Sequence, residues 1–92
     1  MIAPLVAVVS SDPEALEPRL RVAGTLRDAG LRVRPDGSSR KLGKQLESAA
    51  KLGARWAVII GPELEAGKVI LRDLEASDQR EIGLSEVPAA IG

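Results

Sequence analysis

The sequence predicts a three-layer α/β/α domain built on a mixed five-stranded sheet whose fourth strand runs antiparallel to the rest. Three observations carry this. Short apolar runs rich in β-branched residues alternate with stretches of helical periodicity, the pattern of parallel strands joined by right-handed crossovers. The third such run, Trp56–Ile60, is separated from the fourth, Lys68–Arg72, by only the seven-residue loop Gly61–Gly67. That is too short for a parallel crossover, so the chain must reverse there. No internal repeat, low-complexity tract or boundary signal interrupts residues 1–92, which therefore read as one small domain.

The elements follow in order. Leu5–Val9 is a continuous apolar run and predicts a buried strand. Asp12-Pro13 is a helix-start signal, with Asp12 as the N-cap, and Leu16, Leu20, Ala23 and Leu26 make a buried stripe. Pro18 lies inside that stretch, so the helix kinks or begins there, and Gly30 closes it. Leu31–Arg34 alternates with period two and reads as a half-buried strand near a sheet edge. Ser38 or Ser39 is placed to cap a second helix, with Leu42, Leu46, Ala49 and Ala50 facing the core and Gly53 ending it. After the third and fourth strands, a turn at residues 75–78 leads to a last strand, Gln79–Leu84, and Ser85 is placed to cap a short helical tail containing Pro88.

Composition narrows the chemistry. The core must be aliphatic, since Trp56 is the only aromatic residue. With no Cys there is neither a disulfide framework nor a thiolate site, which fits a cytoplasmic location. With no His the usual general base and imidazole metal ligand are missing too. No apolar run approaches the roughly 20 residues of a membrane span, and Met1-Ile2-Ala3-Pro4 lacks a signal-peptide pattern, so no membrane partner is expected. Net charge is zero, but unevenly spread. Residues 19–44 hold eight cations against Asp28 and Asp36, a net of plus six that must be balanced by minus six elsewhere. Such a split gives either one basic surface or ordinary solvated faces.

Catalysis is poorly supported. Glu63 and Glu65 share one loop with nothing evident to separate their acidities. Asp73, Glu75 and Asp78 lack the spacing of a calcium loop, and no serine has a visible base. Ser10–Asp12, between a strand and a helix, is a candidate anion loop without a glycine-rich fingerprint. No cofactor and no metal are expected. A binding surface remains. Phosphates would meet the arginines and lysines, while unpaired RNA bases offer edges that need both donors and acceptors. Arginine supplies the former and glutamate the latter. Lys68 and Arg72, four apart on a strand, point to one face.

The stretch "RKLGKQLESAAKLGARWAVIIGPELEAGKVILRDLEASDQREI" resembles the C-terminal anticodon-binding domain of class II aminoacyl-tRNA synthetases, the histidyl-tRNA synthetase branch most of all. Three segments carry the likeness: the "KLGKQLESAAKLGARW" helix with its passage into a strand, the "IIGPELEAGKV" strand–loop–strand, and "LRDLEASDQREI", similar to that branch's K-D-L-x-x-x-x-Q hairpin. The resemblance implies a mixed five-stranded sheet, a non-catalytic role in holding the tRNA anticodon, and attachment to a synthetase catalytic domain that this chain lacks. Full-length members of the family are homodimers. It also implies a set of RNA-binding residues: Glu63, Lys68 and Arg72 near the bases, and Ser39, Arg40, Lys41 and Lys44 near bases or phosphates. Two other readings stay open: a free-standing synthetase-derived interaction or regulatory module without anticodon selectivity, and a small-ligand domain using the Ser10–Asp12 loop.

Overall fold

The computed structural model describes residues 3–91, so Met1 and Ile2 of the opening tetrapeptide lie outside it. Its strands are β1 (Leu5–Ser10), β2 (Arg32–Pro35), β3 (Trp56–Ile60), β4 (Lys68–Asp73) and β5 (Asp78–Gly83). Its helices are α1 (Leu16–Asp28), α2 (Leu42–Lys51) and α3 (Val87–Ile91). The sheet order is β2-β1-β3-β4-β5. β1 pairs parallel with β2 and β3, while β4 is antiparallel to both β3 and β5. This is the expected mixed sheet with a reversed fourth strand, and β2 lies at its edge as its alternating pattern predicts.

The apolar runs of β1 and β3 are continuous because both faces of these strands are covered. On one side Val6, Val8, Val58, Ile60, Val69 and Leu71 pack with Val22, Ala23 and Leu26 of α1 and Val87 of α3. On the other, Ala7, Val9, Ala57 and Ile59 pack with Ala49 of α2, and Leu42 and Leu46 cover the rim. Small side chains at 7, 49 and 57 let α2 lie close to the sheet. Trp56 is half-buried against the α1-side cluster, with the Arg55 guanidinium 5.0 Å from its ring centroid.

The helix starts differ from expectation, for a shared reason. Asp12 accepts the Glu14 N–H at 2.9 Å in a local turn, and α1 begins only at Leu16, with Ala15 as a cap that makes no side-chain bond. Short polar side chains beside backbone N–H groups compete with helix capping in this way. Pro18 therefore falls in the first turn, where a missing N–H has no helical partner to lose, and the helix does not need to kink. The buried face is rotated from the one predicted: Arg19, Val22, Ala23 and Leu26 are inside, while Leu16 and Leu20 are 40% and 50% exposed. Neither Ser38 nor Ser39 caps α2. Ser38 is committed to Asp36, and extended Lys41 stands at the cap without a side-chain bond. Ala50 is exposed, and Gln45 takes the interior position beside Ala49. Ser85 caps nothing either. A 3-10 turn, Leu84–Glu86, leads into α3, and the Glu86 carboxylate accepts the Gly83 N–H at 3.2 Å.

The reversal between β3 and β4 is a 3-10 helix, Pro62–Ala66, closed by Gly67 at φ 75. That conformation requires glycine, and the Gly67 N–H donates to the Leu64 carbonyl at 2.8 Å. The Gly67 carbonyl then accepts the Leu84 N–H at 2.8 Å, tying the start of β4 to the exit of β5.

Candidate nucleic-acid interface

β4 turns Val69 and Leu71 into the α1-side core, so Lys68, Ile70 and Arg72 alternate onto the α2 side. Ile70 packs at the margin of the α2 cluster; Lys68 is exposed and Arg72 half-buried. Among the described residues no helix covers this side of β4 and β5. The register places one row across all five strands: Arg34, Ala7, Ala57, Arg72 and Gln79. Arg72 Nη1 donates to Gln79 Oε1 at 2.9 Å, so the guanidinium is aimed by its direct cross-strand neighbour. Gln79 was not among the sequence-derived candidates. The signal was present, because a turn within 74–77 must set 72 opposite 79, but only strand register converts it into a contact.

The four candidates at the second helix gather around the start of α2. Gln45 fixes this start to the end of β1. Its Oε1 accepts the Ser10 N–H at 2.9 Å, and its Nε2 donates to the Ser10 and Arg40 carbonyls at 3.1 and 2.7 Å. The amide is fully buried and fully paired, as a polar group in a core must be. Ser39, Arg40, Lys41 and Lys44 are all exposed on this platform. Arg40 donates to the hydroxyls of Ser38 and Ser48. Lys44 pairs with Glu47 at 3.2 Å across one turn, an exposed contact of little energetic weight. Because α2 runs back against the parallel strands, its start and the beginning of β4 share the carboxyl end of the sheet, where open α/β folds bind ligands.

Glu63 lies in the 3-10 helix at that same end, half-buried, and its carboxylate folds back toward Gly61. A Cβ at Gly61 would stand 2.7 Å from Glu63 Oε1. Gly61 has φ −143, so its use is this room for Glu63 and not a positive φ. Leu64 packs into the α1-side cluster. The structure thus sets the α2 start, Lys68 and the turn that carries Glu63 at one end of the sheet, while Arg72, opposite Ala57, lies four residues along β4 toward its other end.

Sorting the basic stretch changes its meaning. Arg19 is fully buried: it donates to the carbonyls of Asp36 (2.6 Å), Pro13 (3.0 Å) and Ala15 (3.2 Å) and pairs with Asp36 Oδ1 at 3.3 Å. Arg21 pairs with Glu17, and Arg27 donates to the Val33 carbonyl. Arg32, Arg34, Arg40, Lys41 and Lys44 remain on β2 and around the start of α2. Burial pushes the Asp36 carboxyl up, but the bonds from the Ser38 hydroxyl and N–H, with the charges of Arg19 and Arg40, outweigh it and hold it below the ordinary carboxylate value.

The Ser10–Asp12 loop is occupied by its own bonds. Ser10 Oγ donates to the Asp12 carbonyl at 2.7 Å and Ser11 Oγ to the Ile60 carbonyl at 3.3 Å. The first helical residue is Leu16, so α1 opens beyond the loop and the expected anion cradle is not formed. Among the described residues there is no group of three or more His, Cys, Asp or Glu placed to hold a metal, and no helix long and apolar enough to cross a membrane.

At the far end of β4 a bidentate pair secures the β4–β5 hairpin. Arg55 Nε and Nη2 donate to the Asp73 oxygens at 3.1 and 3.0 Å, and Asp73 also accepts the N–H groups of Glu75 and Ala76. The Arg55 bond and these N–H groups hold the Asp73 carboxyl down at about 2, against an ordinary value of 3.8. A depressed pKa means that the contribution is fully present above the unfolded value and disappears as pH falls through the folded one. Urea midpoints of the native protein and Asp73→Asn should therefore differ at pH 7 and converge between about pH 4 and pH 2. A difference that persists unchanged to pH 2 would remove this pair as the cause.

The sheet order and reversed fourth strand place the chain in an α/β class seen in synthetase structures. The RNA binding domain of threonyl-tRNA synthetase from Cryptosporidium parvum superposes with a TM-score of 0.83 over 97% of this chain and 24% of its own, at 22% identity, a likeness of fold alone. The chain belongs to the anticodon binding domain family, whose sequence profile matches residues 4–92. It is 51% identical to histidine–tRNA ligase from Thermotoga maritima over 79 residues, covering 85% of this chain and 19% of that protein. Crystalline histidyl-tRNA synthetase from Nostoc sp. PCC 7120 matches with a TM-score of 0.83 and 39% identity over 99% of this chain and 22% of its own. The chain thus spans about a fifth of the length of the curated relatives it matches.

Proposed function

We propose that the chain recognises the anticodon of tRNA, as the non-catalytic reading domain of a histidine–tRNA ligase. The observation that carries the reading is the open face of β4. Lys68 stands there at the end of the sheet shared with the basic start of α2, with Gln79-aimed Arg72 four residues further along the same face, in a chain matched along nearly its whole length to anticodon-binding domains. Arg72 offers paired donors to a base edge; Ser39, Arg40, Lys41 and Lys44 offer donors to bases and phosphates; Glu63 offers an acceptor after a rotamer change away from Gly61. In the whole protein, the reading includes a partner catalytic domain, a homodimer and a cytoplasmic setting.

Fluorescence anisotropy with a histidine-tRNA anticodon stem-loop and a scrambled-anticodon control, at two salt concentrations, tests it. Preference for the true anticodon supports the reading, and absence of binding to both at low salt favours an interaction module without RNA selectivity. Arg72→Ala should cost about 1–3 kcal/mol on the true anticodon and flatten discrimination, taking bidentate arginine–base contacts in DNA complexes as the guide. Lys44→Ala should weaken both RNAs alike. Equal losses on both RNAs for Arg72→Ala would remove it as a base reader.

A further inference from the structure

A groove lies across α2 from the β4 face. It is about 300 Å³ in volume, lies between edge strand β2 and α2, and is walled by Arg34, Asp36, Ser38, Arg40, Gln45 and Ser48 over a floor of small apolar side chains. Its charge is one-sided. Asp36, its one acid, is engaged by buried Arg19 and by Ser38, so its negative charge is met from below. Arg40 bonds to two neutral hydroxyls and, among the described residues, makes no ion pair, its charge acting on Asp36 only from a distance. Arg34 is exposed and, among the described residues, makes no ion pair. Arg32 lies two residues before it on the same face of β2.

Arg34 and Arg72 also stand on one cross-sheet row, on the same face, with Ala7 and Ala57 between them under α2. Three strand spacings separate them, roughly 14 Å. Lys41 and Lys44 lie at the start of α2, toward the carboxyl end of the sheet from that row. A polyanion that reaches Arg72 with its bases and crosses α2 brings its backbone over this groove.

We propose that the β2–α2 groove holds the sugar–phosphate backbone of the stem flanking the anticodon loop, with Arg34 and Arg40 as its phosphate contacts. The proposal rests on the anticodon-binding reading above. It makes α2 a ridge that the RNA straddles: bases on the β4 side, stem phosphates on the β2 side. Arg34 contributes affinity without sequence preference, because phosphates carry no sequence information.

The test compares native protein, Arg34→Ala and Arg34→Lys on two RNAs, a histidine-tRNA anticodon stem-loop and the same loop as a single strand without its stem. Arg34→Ala should bind the stem-loop about fivefold more weakly, the scale of one cation beside an anionic surface. Its salt slope should fall by about 0.7–0.9, one phosphate contact. Binding of the loop alone should be unchanged, and Arg34→Lys should keep most of the native slope. Thermal midpoints of the variants should match the native protein, since Arg34 is exposed on an edge strand. If native protein prefers the true anticodon but Arg34→Ala binds the stem-loop with native affinity and slope, the groove is not a phosphate site and the anticodon reading stands. Equal weakening on the loop alone also overturns the stem assignment. If native protein binds neither RNA at low salt, the anticodon reading fails and the groove proposal with it.

Discussion

Arg19→Met is expected to remove about 3–5 kcal/mol of folding stability, the cost of breaking a buried ion pair from one side. The guanidinium is fully buried on α1 and serves three carbonyls and a carboxylate at once. Methionine fills part of the volume but removes the donors to the Asp36 and Pro13 carbonyls, while the Ala15 carbonyl keeps the backbone N–H of residue 19. It also leaves the Asp36 carboxylate with only Ser38 and the more distant charge of Arg40 to offset its burial. Against a total of about 5–15 kcal/mol for a domain, this is a large fraction. Arg19→Lys should lose most of the same amount, because one ammonium cannot reproduce a planar fork directed at separated acceptors. Urea unfolding measures both. A loss under about 1 kcal/mol for Arg19→Met would mean that the pair is no better than an apolar contact.

Gln45→Leu is expected to cost roughly 2–5 kcal/mol, from unpaired buried groups at about 1–3 kcal/mol each. Leucine has nearly the right volume, so the loss isolates the amide's bonds from its packing. The Ser10 N–H and carbonyl and the Arg40 carbonyl lose their partner together. The effect should also reach the exposed platform at the start of α2, because these bonds set where α2 begins relative to β1. Amide hydrogen exchange at the first turn of α2 should therefore accelerate more than global unfolding explains. Gln45→Glu sharpens the test: a carboxylate accepts from Ser10 N–H but faces two carbonyls, so its deficit should shrink as pH falls and the acid becomes a donor. A deficit that is flat with pH would show that volume, and not bonding, sets the requirement for glutamine.

These two residues mark the limit of what the sequence discloses. The sheet was legible because β-branched runs and loop length act locally: seven residues between Ile60 and Lys68 decide the reversal without knowledge of anything else. Arg19 and Gln45 were not, because hydrophobic periodicity assigns a polar side chain to solvent unless its partners are known. The partners come from Pro13, Ala15 and Asp36 for one and from Ser10 and Arg40 for the other. Asp12 and Ser38 misled as caps because each closes a local turn that competes with the helix end. At the site, Lys68 and Arg72 shared a face by simple alternation. Gln79 needed register, and the meaning of the basic stretch needed each cation's neighbours; only then did Arg19 leave the surface set and Arg34 enter a groove.

The alternation along β4 has an evolutionary consequence. Val69 and Leu71 answer to the hydrophobic interior, while Lys68 and Arg72 answer to whatever touches the outer face. Selection can therefore rewrite one set while leaving the other alone. A strand so divided lets a lineage exchange its outer residues without first acquiring a spare reserve of stability, and lets its scaffold drift while the outer residues stay fixed.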